Sequence, residues 1–302
     1  MGMEFLRKIP TISNQVFGLV LFLSVYISAS ITVLLVTGSF EAVISRLGIV
    51  FASVVIFMTI MFIISRFLKR TDIVDMAWGL GFIVAAISSF TVSMNSTNIG
   101  WNIQTITTIL VMVWGFRLAY YILKRLCKYP EDKRYVALRN TWKGNEPLNT
   151  YLRIFLTQAI LATVISIAVI HINFYSQEAI TIYTYIGIAV WLLGFGFEAI
   201  GDWQLKQHLS KPNNKGVLMT TGLWKYTRHP NYFGEATMWW GIFIISLGTM
   251  YGWIGLITPV LITYLLLFVS GVPMTEKHFE GRKGWNHYKK HTSNFIPLPL
   301  KK

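Results

Sequence analysis

The sequence predicts an all-α, multi-pass membrane bundle, and three observations carry that prediction. Of the 302 residues, 54% are hydrophobic and only 13% are charged, where a soluble domain carries roughly 25% charged residues. Eight runs are apolar enough to span a bilayer, which takes about 20 helical residues: 16–38, 47–65, 73–92, 103–123, 152–172, 183–201, 235–250 and 252–270. With those spans in place, all but two of the 27 Lys and Arg residues fall on one side of the membrane. Basic loops stay cytoplasmic, so both termini are expected in the cytoplasm and the membrane is expected to be the inner, cytoplasmic one.

The elements follow in order. Arg7 and Lys8 precede the first run, which is long enough to span and has no clear small-residue cleavage site after it. The inner loops 66–72, 124–151 and 202–234 and the C-terminal tail hold the basic residues, whereas the outer loops 93–102 and 173–182 and the turn at 251 hold none. The exceptions are Arg46, in an outer loop, and Arg117, within the fourth span. The tail from Glu276 to His291 mixes Phe279, Trp285 and Tyr288 with Lys and His, as an interfacial segment does. Pro297 and Pro299 then bar helix. No internal repeat or flexible linker interrupts the chain, so 1–302 reads as a single membrane domain, with an N-terminal extra span within 1–46.

The net charge is +14. Because the basic residues alternate with apolar runs, membrane lipids and a phosphorylated cofactor are the expected partners, and nucleic acid is not. Cys127 is the single cysteine, so no intrachain disulfide forms, and no HExxH or Cys/His cluster points to a metal.

Ionisable groups within spans are costly and mark function. Asp75 opens the third span, either as a helix cap at the water boundary or as a partly buried acid able to donate to a substrate oxygen. Gly79 and Gly81 beyond it allow close packing. Arg117 in "WGFRLAYY" shares a face with Trp114 and Tyr121. It either snorkels to the interface or meets an anion, Asp75 or a phosphate. Glu198, Asp202 and Lys206 stack at i, i+4, i+8, and the acids are expected to bind ribose hydroxyls or an amide. In "RHPNYFGE", Arg228 and His229 precede the helix-breaking Pro230; Asn231, Tyr232 and Glu235 follow at a helix start suited to phosphate. Gly271 and Pro273 break the last span before Glu276 and His278, which are expected to face the same region. His171, at the opposite end of the fifth span, reads as interfacial. The other groups come from five spans and converge at the cytoplasmic ends, as a cofactor site open to the cytosol requires.

With "IVDMAWGLGF", "VWGFRLAYYILKR", "EDKRY", "FEAIGDWQL", "GLWKYTRHPNYFGE", "WWG" and "SGVPMTE" in order, the chain resembles the steroid 5α-reductase-like family of membrane reductases, in its bacterial branch, over roughly 70–300. The resemblance implies a seven-helix core with NADPH entering from the cytosol. It implies Asp202, Asn231 and Glu235 as cofactor contacts with Trp239 beside them, and Asp75 on the helix carrying the catalytic acid. Glu198 stands where the steroid enzymes have Asn. Trp114 stands near their active-site Tyr, a role open to Tyr120 or Tyr121. Lys206, Lys211 and Arg228 favour the extra phosphate of NADPH. The implied reaction is a 1,4-reduction of a lipophilic enone or unsaturated lipid drawn from the bilayer. Two alternatives stand beside it. One is a methyltransferase using S-adenosylmethionine, since isoprenylcysteine carboxyl methyltransferases share a similar "RHPxYxG". The other is a non-enzymatic lipid-binding or transport protein.

Overall fold

A computed structural model of the chain describes residues 40–93, 100–175, 180–214 and 216–300. The expected first span, 16–38, lies outside the described residues. Helix makes up 79% of the structure, with no strand among the described residues. Six helices are long and apolar enough to cross a membrane: Ala42–Leu68, Ile73–Ser93, Ile103–Lys128, Glu146–Ile165, Ile182–Ser210 and Gly252–Phe279.

The chain divides into Met1–Ile49 and Val50–Lys302. Of the first unit, the described part is the opening of helix α1, Phe40–Leu68; the second holds every other helix described. Within it, α1 buries Val50, Val54, Met58 and Met61 at helical spacing and leaves Ile56, Ile60, Ile63 and Phe67 exposed. One stripe thus meets the bundle and the other meets lipid.

Helices α2 (Ile73–Ser93) and α3 (Ile103–Lys128) come next. The Asn102 side chain caps α3 by accepting from the Thr105 N–H at 2.8 Å. The loop after α3 holds the short α4, Lys133–Asn140, capped by Asp132. The next helix, α5, runs Glu146–Ile165. It begins before the expected 152–172 span, because Asn145 caps it and Pro147 suits its first turn. It also stops at Ser166, after which α6, Ile167–Tyr175, continues in a new direction of hydrogen bonding. The Thr258 hydroxyl there accepts the N–H of Ala168 at 2.9 Å.

Helix α7, Ile182–Ser210, has 29 residues. At 1.5 Å per residue it is roughly 43 Å long, well beyond a hydrocarbon core of about 30 Å. Its last turns, which carry Asp202 and Lys206, therefore run past the apolar zone. Helix α8 spans Pro230–Ser246, several residues earlier than the expected 235–250, because Pro230 is preorganised for a helix start. After a tight turn with Tyr251 at φ 57°, α9 (Ile257–Tyr264) continues through a π-turn at Leu265–Val269. The break at Gly271 and Pro273 falls where the sequence places it. Helices α10 (Val272–Phe279) and α11 (Trp285–His291) follow.

Lipid tails are as apolar as leucine, so burial alone does not pull membrane helices together; close packing and polar contacts do. The α7–α8 pair shows this. Glycines recur every seven residues on each helix, at 187, 194 and 201 and at 234, 241 and 248. A Cβ on Gly194 would lie 2.6 Å from the Gly234 carbonyl oxygen, and one on Gly234 would lie 2.5 Å from the Glu198 nitrogen. Backbone therefore touches backbone, and the register places Glu198 beside Gly234. On α2 and α3 the same role falls to Gly79 and Gly115: a Cβ on Gly115 would lie 2.7 Å from the Gly79 oxygen. Gly196, by contrast, has open space around it.

Candidate functional site

Beside the α7–α8 crossing, one guanidinium from α3 bridges two carboxylates of α7. Arg117 on α3 donates to Glu198 Oε1 and to Asp202 Oδ2, each at 2.5 Å. Trp114, one turn earlier, donates its indole N–H to the other Glu198 oxygen at 3.0 Å. Asp202 also lies beside the Asn231 side chain from α8, and Glu235 beside the Trp78 indole from α2. Glu198 and Asp202 are 3% and 7% exposed. Of the partners the sequence leaves open for Arg117, the structure selects neither Asp75 nor snorkelling but the two α7 acids.

Four aromatic rings wall the apolar side of this cluster. Phe82 meets Trp78, Trp114 and Trp239 with centroids at 4.8, 5.3 and 4.8 Å. Trp114 and Trp239 meet edge to face at 5.3 Å. The Trp239 indole N–H is buried with no acceptor, and so is the Asn231 side-chain oxygen with no donor. Tyr121, one turn beyond Arg117, is half-buried, whereas Tyr120 is exposed beneath Lys124.

Asp75 belongs to a second cluster. Arg125 binds it at 2.6 Å, Arg134 approaches to 3.7 Å, and the Tyr135 hydroxyl donates to it. Burial, with the Asp75 charge beside it, pushes the Tyr135 phenol well above its usual range. Next to it, Arg139 grips Glu131 at 2.6 Å and reaches Thr71, while Arg70 grips Asp72 at 2.9 Å. Loop 69–72 is thus tied to loop 129–139. Arg139, hydrogen-bonded beside it, holds the Glu131 carboxyl below the usual range.

The "RHPNYFGE" residues form a third group. Arg228 donates to Glu276 at 2.8 Å and to the carbonyls of Lys289 and Thr292 at 2.9 and 2.6 Å. Its donors are therefore spent on the fold, because the chain returns from the tail directly over this loop, and the expected phosphate contact is not available to most of them. His229, whose imidazole burial lowers against the opposing pull of Glu276, stacks on Tyr232 at 5.4 Å. The Tyr232 hydroxyl meets Thr275 at 3.0 Å. A cavity of about 290 Å³ opens here, lined by Arg228, His229, Asn231, Tyr232, Thr275 and His278 among others. His278 also contacts Arg282 at 2.7 Å. Lys206 and Lys211 are exposed and line no cavity, since α7 carries them beyond the bundle.

His171 differs from its expected interfacial setting. It is 4% exposed and bonds the Met250 carbonyl at 2.8 Å. Tyr135, Arg125 and Trp78 join the clusters without having been singled out in the sequence. Tyr135 and Trp78 stand inside matched stretches; Arg125 does too, as the last residue of "VWGFRLAYYILKR" in the final turn of α3. No group of three or more His, Cys, Asp or Glu able to hold a metal occurs among the described residues.

The comparisons agree on kinship. An uncharacterized protein, C594.04c, of Schizosaccharomyces pombe is 23% identical over 231 residues, covering 64% of this chain. The match spans 65% of that relative's length. No solved structure matches. Residues 61–292 match the family described as "Protein of unknown function (DUF1295)", a span that takes in both glycine crossings and all three clusters, and the chain belongs to that family.

Proposed function

We propose that the protein is a membrane-bound, NADPH-dependent reductase of a lipophilic enone or unsaturated lipid, related to the steroid 5α-reductases through their bacterial branch. The reading includes eight spans, both termini in the cytoplasm and a site facing the cytoplasm across the inner membrane. The single observation that carries it is the Arg117–Glu198–Asp202–Asn231 network, which puts fixed polar groups between an aromatic wall and a cavity.

The cofactor's fit rests on the unpaired polar atoms. The Asn231 oxygen lacks a donor and the Trp239 N–H lacks an acceptor, so a ligand carrying both functions satisfies two buried groups that otherwise cost free energy. Asp202 and Asn231 would hold ribose hydroxyls or the carboxamide, with His229 and Tyr232 along the cavity wall. When bound, the nicotinamide supplies hydride. The chain's own part is orientation and electrostatics. Arg117 fixes both acids; the aromatic wall excludes water and offers an apolar seat to the substrate. In this reading Tyr121 would donate to a substrate oxygen. Asp75, held by Arg125 and Tyr135, would pass a proton through the Tyr135 hydroxyl.

One observation favours the second reading, methyl transfer from S-adenosylmethionine. Glu198, Asp202 and Glu235 outnumber Arg117 in the cluster, and an excess of acid suits a sulfonium cation. Calorimetric titration of the purified protein with each cofactor separates the two. The proposal expects NADPH to bind and S-adenosylmethionine not to; the reverse result transfers the assignment to methyl transfer.

A further inference from the structure

We infer that a second cavity, of about 540 Å³ between the 217–225 linker and α11, is a binding site for a phosphate monoester. Lys225, Lys283, His287 and His291 line it, with the hydroxyl-bearing Thr220 and Thr292, and no carboxylate is among its described lining residues. The two imidazoles stack at 4.2 Å. His291 Nδ1 donates to the His287 carbonyl at 2.8 Å, which leaves its Nε2 for a ligand. Lys225 and Lys283 supply ammonium donors on this wall, His291 joins them through Nε2 when its ring is protonated, and no acid competes, which makes a site for an oxyanion of high charge.

The wall is built rather than draped. Tyr288 donates to the Trp224 carbonyl at 2.5 Å, and the Arg228 backbone N–H bonds the Ser293 carbonyl at 2.9 Å. Leu298 N–H bonds the Tyr226 carbonyl at 3.0 Å. Trp285 and Tyr288 are buried beneath the helix. The basic residues therefore stand on a segment anchored at both ends.

The source of the phosphate follows from the neighbourhood. Val217, Leu218 and Tyr288 line this cavity and also the 290 Å³ cavity beside Asn231. Ligand sites run from roughly 300 to 1,000 Å³, so the smaller cavity holds one nucleotide and not two. A dinucleotide lying across the linker would seat one half in each, with a 2′-phosphate among Lys225, Lys283, His287 and His291. That part rests on the reductase reading. The site itself does not, because a lipid headgroup ending in a phosphate monoester has the same chemistry.

The test uses the full-length protein. Adenosine 2′,5′-bisphosphate and 5′-AMP, which differ only in the 2′-phosphate, are titrated by calorimetry. Phosphatidic acid and phosphatidylcholine are compared by native mass spectrometry from nanodiscs. The variants are Lys283→Ala with His287→Ala, Lys225→Glu alone in case the pair unfolds, and Lys133→Ala as an exposed-lysine control. The bisphosphate is expected to bind at least about tenfold more tightly than 5′-AMP, the effect of one charge-assisted contact. Both cavity variants should abolish that preference and the control should keep it. If neither nucleotide binds but phosphatidic acid is retained and the same variants release it, the site stands and the reductase reading fails. Nucleotide binding that both cavity variants leave unchanged, or no binding of either nucleotide together with no retained phosphatidic acid, overturns the proposal.

Discussion

Two buried polar regions lie at opposite ends of the same helices. Along α2 they are separated by the 14 residues from Asp75 to Ser89, roughly 21 Å of helix. At the far end, Asn173 donates to Ser89 at 2.7 Å and to the Ala86 carbonyl at 3.3 Å, and Gln104 donates to the Asn173 carbonyl at 2.6 Å. His171 closes the group on Met250. Every partner there is neutral backbone, hydroxyl, amide or imidazole, and its residues line neither of the two cavities described above. At the near end, Arg117, Glu198 and Asp202 are charged groups from two helices with a cavity beside them. The comparison teaches that burial of a polar side chain in a membrane bundle does not by itself mark a site. The far group locks three helix ends together; the near group holds charge where a ligand can reach it.

The largest way to break the comparison is to remove the central cation. Arg117→Met leaves Glu198 and Asp202 buried without their counter-charge, which costs about 3–5 kcal/mol. Thermal unfolding in detergent should register that loss. Adding Glu198→Gln and Asp202→Asn to the same chain should restore most of the stability and none of the cofactor binding. If the single variant is as stable as wild type, the guanidinium is not the keystone of the cluster.

Next in size is the crossing that creates the register. Gly194→Leu places its first atoms within about 3 Å of the Gly234 and Met238 backbone. Overpacking of that kind costs typically 1–3 kcal/mol. It should separate α7 from α8 and weaken cofactor binding, while Gly196→Leu, in open space, should leave both binding and stability near wild type. Equal effects of the two substitutions would count against the register.

The far region gives a smaller, purely structural effect. Asn173→Ala removes two hydrogen bonds and leaves the Ser89 hydroxyl with its own backbone contact, for a cost of about 1–2 kcal/mol in unfolding experiments.

The smallest effect is a pH dependence confined to the loops 69–72 and 129–139. The folded Glu131 carboxyl lies below its unfolded value because of Arg139. Its contribution is therefore present above the unfolded value of 4.5 and is lost as pH falls through the folded one. Hydrogen exchange in 129–140 should accelerate as pH is lowered beyond the ordinary carboxylate range, after correction for the intrinsic exchange rate. Glu131→Gln should show the faster exchange already at neutral pH; no difference between the two proteins at neutral pH would dismiss this latch.

Much of this was legible in the residues. Hydropathy and loop charge locate the helices, and the spacing of Glu198 and Asp202 places them on one face of α7. The pairing of Arg117 was less accessible. The sequence offers it Asp75 or a phosphate, and only the fold, which sets α3 against α7 at the depth of Glu198 and Asp202, brings the α7 acids to it. Arg228 is hard to read for a related reason. Its sequence context, ahead of a helix start, suits phosphate, but the tail that consumes its donors lies more than 45 residues away along the chain, and nothing local announces that return. His171 was read from its position near a span end, where lipid headgroups are the default neighbour; the fold instead supplies a carbonyl from the turn after α8.

The account's central claim is tested most directly by titrating NADPH calorimetrically into Asn231→Ala and Asn173→Ala proteins, one substitution in each buried region. The claim predicts that the first loses binding and the second binds as wild type does. Undiminished binding by the Asn231 variant, or equal loss in both, would contradict it.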